Sequence, residues 1–170
     1  MNRTYTREHF INLSRKIRST LPGVGISTDI IVGFPGETEE DFNDTIDLMN
    51  DVKFDSAYTF KYSPRKGTKA TEYDDHIDES IKQDRLAQVI VLQKSHTIIR
   101  NKKYEGNIED VLIEKTSKRN QDKWAGRTDS NKWVIFDKSG YNINAIVPVL
   151  ITKSKNITLY GEISKKVKEA

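Results

Sequence analysis

Thr28-Asp29-Ile30-Ile31-Val32-Gly33-Phe34-Pro35-Gly36-Glu37-Thr38-Glu39-Glu40-Asp41-Phe42 reads as a strand, a sharp turn and a helix start in direct succession. Ile30, Ile31 and Val32 form an unbroken apolar run, the pattern of a parallel strand covered on both faces. Gly33 and Gly36 permit positive φ or close approach of a ligand to the backbone, and Pro35 stiffens the turn between them. Thr38 is a good N-cap, and Glu39, Glu40 and Asp41 place negative charge in the first helical turn. A ligand at the carboxyl end of such a strand would meet free backbone amides and carbonyls. An ordinary βα turn without a ligand fits the glycine spacing equally well.

Working outward, Thr6 is expected to cap a helix running to about Leu21, with Phe10, Leu13, Ile17 and Leu21 on its inner face. A strand over 26–32, a helix over 39–52 and a strand over 56–62 follow. This order predicts right-handed βα units and a parallel sheet. Two parallel strands cannot bury both faces of a sheet, so this half reads as part of a larger α/β structure. Residues 78–102 form a long helix, expected to pack through Ile81, Leu86, Val89, Ile90 and the stretch 93–98. Beyond Tyr104 the pattern changes to short strands at 111–114, 124–128, 133–136, 145–151 and 158–163, divided by polar turns. Short strands at this density fit a small antiparallel barrel of the oligonucleotide-binding kind. The lysine-rich tail 164–170 is expected to fray.

Composition sets bounds. Of 170 residues, 31% are charged, and no apolar run approaches the roughly 20 residues of a membrane span. The first residues lack the apolar core of a signal peptide, so a cytoplasmic location is the default. The chain has no cysteine, which excludes disulfides, thiolate zinc sites and cysteine-ligated iron–sulfur clusters within it. His9, His76 and His96 are far apart and flanked by polar residues, so solvated surface is expected for each and no metal site. Residues 1–72 carry ten Lys/Arg against eleven Asp/Glu, and residues 73–170 eighteen against fourteen. The mild basic excess of the second half suits a nucleic-acid contact, and equally a solvated face.

Two groups of residues are candidates for function. In the first half, Ser27 and Asp29 on the first strand, the turn at Ile31–Glu37, and Tyr62, Ser63, Arg65 and Thr68 after the second strand converge on one strand end. Arg65 could fork onto a carboxylate or phosphate. In the second half, Ser117-Lys118-Arg119-Asn120 and Gly126-Arg127-Thr128-Asp129-Ser130-Asn131-Lys132-Trp133 mix cations, amides and a tryptophan, a composition suited to single-stranded RNA. Trp124 is assigned to the barrel core. No nucleophile–base–orienter set is visible, and no catalytic residue is assigned.

The motifs Met1-Asn2-Arg3, Tyr5-Thr6-Arg7-Glu8, 27–38, Phe60-Lys61-Tyr62-Ser63-Pro64-Arg65-Lys66-Gly67-Thr68 and Arg85-Leu86 occur in the order seen in radical SAM methylthiotransferases. The chain resembles the carboxyl-terminal part of that family, and 105–163 resembles its TRAM domain, an RNA-binding module. The residues 117–119, 126–128 and 131–132 are similar to the MiaB-type tRNA enzymes. The resemblance implies an α/β plus all-β fold: the end of a radical SAM (TIM-like) barrel at 1–74, a connecting helix at 75–103, an OB-like TRAM β-barrel at 104–165 and the tail. It implies methylthiolation of C2 of N(6)-isopentenyl-adenosine beside the tRNA anticodon. S-adenosylmethionine would serve as methyl donor and radical source, with two [4Fe–4S] clusters.

By the same resemblance, Ser27, Asp29, Ile31, Gly33, Phe34, Pro35, Gly36, Glu37, Tyr62 and Arg65 belong to a partial S-adenosylmethionine site. Lys118, Arg119, Arg127, Asn131 and Lys132 would contact the tRNA anticodon arm. The cluster cysteines of the family have no counterpart here, so the chain is expected to be inactive alone, a fragment whose amino-terminal part lies elsewhere, and monomeric in its full-length form. The alternatives are a stand-alone tRNA-binding TRAM module, or a relative that methylthiolates a ribosomal protein or threonylcarbamoyl-adenosine.

Overall fold

The computed structural model describes residues 4–165; the Met1-Asn2-Arg3 motif and residues 166–170 of the tail lie outside them. Elements follow the order α1 (Arg7–Thr20), β1 (Ser27–Val32), α2 (Glu39–Val52), β2 (Ser56–Lys61), α3 (Glu79–Lys102), β3 (Ile108–Thr116), β4 (Lys123–Thr128), β5 (Trp133–Asp137), β6 (Ile146–Lys155) and β7 (Thr158–Ile163). The chain divides into two units, Met1–His96 and Thr97–Ala170, and the division falls within α3.

In the first unit β1 and β2 form a two-stranded parallel sheet, with Ser27 opposite Ser56 and Val32 opposite Lys61. Thr6 caps α1 by accepting from the His9 amide, as expected. Thr38 and Asp41 close a reciprocal capping box on α2: each side chain accepts from the other's backbone amide. That amide bond is the main cause holding the Asp41 carboxyl below its ordinary range. Ile11, Ile30, Val32, Phe42, Met49, Val52, Phe54 and Val89 make the core, so all three helices pack on the same face of the sheet.

Four expectations fail here. Ile31 is not buried: it is 37% exposed, because strand alternation turns it to the face opposite Ile30 and Val32. Leu13 and Leu21 of α1 are exposed, and the helix buries Ile11 and Ser14 instead. Ile81 and Ile90 of α3 are also exposed. The packed stripe of α3 in this unit is Lys82, Arg85, Val89, Gln93 and His96, mostly polar. His96 is 3% exposed rather than solvated, with Nε2 3.2 Å from Asn50 Oδ1. Burial is the main cause that pushes its imidazole below the ordinary pKa, helped by Lys53.

The second unit is a closed five-stranded barrel in the order β3-β4-β5-β7-β6. Every strand expected from sequence is present. One pairing differs from the antiparallel expectation: β5 and β7 run parallel, with Val134 opposite Leu159. Bulges between Ile113 and Lys115 and between Ile151 and Lys153 bend β3 and β6 into closure. Val111, Ile113, Val134, Phe136, Val147, Val149, Ile151 and Leu159 fill the interior, with Trp124 and Tyr104 packed against them. Gly126 and Gly161 are glycine because a Cβ there would lie 2.3 and 2.4 Å from the carbonyl oxygens of Leu112 and Leu150.

Candidate functional site

The turn after β1 is built by long-range contacts. The Glu37 amide donates to the Phe34 carbonyl at 2.9 Å, with Pro35 second and Gly36 third at φ 79°, the arrangement of a type II turn. Arg85 of α3 locks it: Nη1 donates to Glu37 Oε1 at 2.7 Å and to the Glu37 carbonyl at 3.0 Å, and Nη2 to Glu39 Oε2 at 3.1 Å. Glu37 Oε1 also accepts from the Gly33 amide at 2.9 Å. The guanidinium lies over the Phe42 ring, 5.2 Å from its centroid. Glu37 therefore holds the turn in shape, and this oxygen is engaged by protein donors.

Both turn glycines have a packing reason. At Gly33 (φ 69°) a Cβ would fall 2.2 Å from Lys82 Cγ. At Gly36 it would fall 2.5 Å from an Asp75 carboxylate oxygen, and the Gly36 amide donates to the Asp75 carbonyl at 2.9 Å. Phe34 packs edge-on against Tyr62 with centroids 5.2 Å apart and against Tyr73 at 6.4 Å, while Tyr62 stacks on His76. The Tyr62 hydroxyl is buried without a hydrogen-bond partner among the described residues. Arg65 is exposed beyond β2, and its guanidinium bonds to no described residue.

Ser27, Asp29 and Ile31 alternate on one face of β1 and meet Ser56, Tyr58 and Phe60 across the sheet. Tyr58 is 63% and Phe60 51% exposed. The structure thus brings eight of the ten proposed cofactor residues to one open sheet face and the turn at its end. Tyr62 joins through Phe34; Arg65 is not drawn in. An open face that sets Ile31, Tyr58 and Phe60 beside Ser27 and Asp29 suits a ligand with an apolar ring and polar substituents, so these residues fit an adenosyl group. A cluster does not fit: the chain supplies no thiolate, and no group of three or more His, Cys, Asp or Glu among the described residues is arranged for a metal ion. None of the described helices is long and apolar enough to cross a membrane.

On the barrel, Lys118 and Arg119 are exposed in the β3–β4 loop. Asn131, at φ 63°, turns the β4–β5 hairpin, and its side-chain oxygen accepts from Arg127 Nη1. Lys132 does not belong to the exposed surface: it is 6% exposed, with its ammonium 5.8 Å from the Tyr104 ring centroid. It shares the inward parity of Val134 and Phe136, so strand alternation sends it under the hairpin. Sequence reasoning passed over Lys115 and undervalued Trp133. Lys115 Nζ and Arg127 Cζ lie 4.5 and 4.3 Å from the Trp133 centroid.

The TRAM domain family model matches residues 102–164, the stretch that holds every strand of this barrel. Residues 102–164 are a TRAM domain. Outside the TRAM domain the likeness continues. The chain is 48% identical over 162 residues to a tRNA-2-methylthio-N(6)-dimethylallyladenosine synthase of Clostridium tetani, covering 95% of this chain and 36% of the relative. It is 47% identical over 161 residues to the synthase of the same name from Carboxydothermus hydrogenoformans, covering 95% and 37%. Against that of Fusobacterium nucleatum it is 47% identical over 163 residues, covering 96% and 38%. The chain therefore spans a little over a third of the length of the curated relatives it matches, and the match runs through the TRAM domain and the βα unit alike.

Proposed function

We propose that this chain is the part of a tRNA-2-methylthio-N(6)-dimethylallyladenosine synthase that completes the cofactor-binding barrel and grips the tRNA anticodon arm. One observation carries this reading: identity of 47–48% over 161–163 residues, which covers 95–96% of this chain and so takes in both the βα unit and the TRAM domain. The domain division 1–74, 75–103 and 104–165 belongs to the same proposal, as do a cytoplasmic location and a monomeric full-length enzyme.

In this reading the β1–β2 pair is the last part of a radical SAM barrel, and the amino-terminal remainder of the enzyme covers the open face bearing Ile31, Tyr58 and Phe60. S-adenosylmethionine, bound together with the cluster-bearing remainder, supplies the methyl group and the radical. The residues of this chain do the holding. Ile31 and Phe60 offer apolar contact to the adenine, Ser27 and Asp29 offer hydrogen bonds beside it, and the locked turn Gly33–Glu37 ends the pocket. Arg65, exposed on the loop after β2, can fork onto a substrate phosphate. Lys118, Arg119, Arg127 and Asn131 meet the RNA. The chain alone lacks thiolates for either cluster and is inactive by itself.

Joining the chain to the cluster-bearing amino-terminal portion of the Clostridium tetani relative tests this. The fusion should restore the methylthio mass increment on N(6)-isopentenyl-adenosine in tRNA from cells lacking the modification. A folded, cluster-loaded fusion that yields no such product, or that modifies threonylcarbamoyl-adenosine or a ribosomal protein instead, would refute the assignment.

A further inference from the structure

We propose that Trp133, flanked by Lys115 and Arg127, is a stacking platform for one unpaired base of an RNA strand. This rests on the reading of the TRAM domain as an RNA-binding module and names a subsite within it. Strand register places the three together. Leu112, Arg127 and Trp133 form one cross-strand row over β3, β4 and β5, and the bulge after Ile113 swings Lys115 beside it. Val134 and Phe136 point into the core, so Trp133 points outward, and it is half-buried beneath its two cations.

The two cations are held differently. Arg127 is fixed at three points: the Trp133 ring, Glu114 Oε1 at 3.3 Å from Nε, and the Asn131 side-chain oxygen on Nη1. Its Nη2 bonds to no described residue and remains available to an acceptor. Lys115 is exposed, and its ammonium lies over the ring face, 4.5 Å from the centroid. A solvent-exposed ammonium over a ring is held more weakly than a base stacked on it. A base can therefore take the place of Lys115 on the indole, and the released ammonium, on its flexible stem, can reach the neighbouring phosphate. Glu114 then acts as a positioning residue, since it aims Arg127 without meeting the RNA, while Asn131 orients Arg127 through its side-chain oxygen and keeps its amide donors for the strand. Trp124 has the opposite character: it packs on the core, with Lys138 over its ring.

The test uses the whole chain and an unstructured anticodon-loop-sized RNA, with affinity measured over a range of salt. Trp133→Leu should weaken binding about tenfold, the scale of one stacked base, and leave the salt dependence unchanged. Trp133→Phe should keep most of the affinity. Lys115→Gln should flatten the log–log salt slope by about 0.7, the value for one single-strand phosphate. In a Trp124→Phe background Trp133 is the remaining tryptophan, and RNA should quench its emission, whereas polyglutamate should not. Wild-type chain that binds no RNA overturns the underlying reading of the barrel. Wild-type binding with Trp133→Leu equally tight, no quenching at saturation, or equal quenching by polyglutamate overturns the platform while that reading stands.

Discussion

Arg85→Met is the most informative perturbation of the first unit. The methionine keeps the apolar stem and removes the guanidinium that binds the Glu37 carboxylate, the Glu37 carbonyl and Glu39. The Glu39 contact is between a buried group and a carboxylate 73% exposed, so it contributes at most about 1 kcal/mol. The Glu37 contact is different, because Arg85 is 7% and Glu37 13% exposed. Removing one partner of a buried pair costs about 3–5 kcal/mol, and the residual hydration of Glu37 sets the expectation at the lower end, about 3 kcal/mol.

The molecule separates the readouts. Both tryptophans lie in the TRAM domain, whereas α1 and α2 lie wholly in the first unit and α3 ends at Lys102. Helical circular dichroism therefore follows the first unit, and tryptophan emission follows the barrel. With a urea m-value of about 1.5 kcal/mol/M, Arg85→Met should lower the helical midpoint by about 2 M and leave the emission midpoint in place. Glu37→Gln should cost less, since its amide oxygen still accepts from Gly33 and Arg85. The double variant Arg85→Met with Glu37→Leu should recover part of the loss, because no charge is then stranded. A helical midpoint that moves by less than about 0.3 M in Arg85→Met would refute the claim that this pair holds the turn.

Three further outcomes are expected. Gly126→Ala should destabilise the barrel by about 1–3 kcal/mol, because the new Cβ meets main chain at Leu112 and the Val111 side chain; an unchanged emission midpoint would contradict the packing described. His96 titrates below its unfolded value, so the unfolded chain binds the proton first as pH falls; helical stability should be full above about pH 6.5 and drop below it by up to about 1.4 kcal/mol per unit until the folded pKa is passed, and His96→Gln should abolish that slope. Residues 103–165 expressed alone should unfold cooperatively, whereas 1–74 alone should aggregate through the face bearing Tyr58 and Phe60; a cooperative, soluble melt of 1–74 would contradict this.

Local chemistry was legible and long-range chemistry was not. Thr6 and Thr38 as caps, the β1–turn–α2 unit and all five barrel strands follow from spacing that acts over a few residues. The buried face of α3 does so only in part: Leu86, Val89 and the stretch from Gln93 pack as expected, whereas Lys82 and Arg85 are buried without any such signal. Counting apolar residues at helical period points to Ile81 and Ile90, but the helix is seated by Arg85 on Glu37, Gln93 on the Phe54 carbonyl and His96 on Asn50, partners 39 to 48 residues away. A polar side chain is buried when a distant partner satisfies it, and no local pattern records that partner. Lys132 was readable in principle: it shares parity with Val134 and Phe136, and only the pull of a basic motif hides this. The parallel β5–β7 pair depends on barrel closure, which individual strand signals do not encode.

The two units handle exposed sheet in opposite ways, and this bears on what each needs. The TRAM barrel closes on itself, so its backbone ladder has no free edge and its apolar interior is complete. The β1–β2 sheet packs three helices on one face while the other presents Ile31, Tyr58 and Phe60 to solvent, and each strand has one edge unpaired among the described residues. Large apolar side chains lined up on one open sheet face require a cover. Asp29 and Ser27 share that face, so a purely apolar cover would strand a carboxylate and a hydroxyl. What seats there must bring apolar area beside Ile31 and Phe60 and hydrogen-bond donors beside Asp29. A ligand pocket roofed by further strands meets both demands; a helix packed flat against the sheet meets only the first.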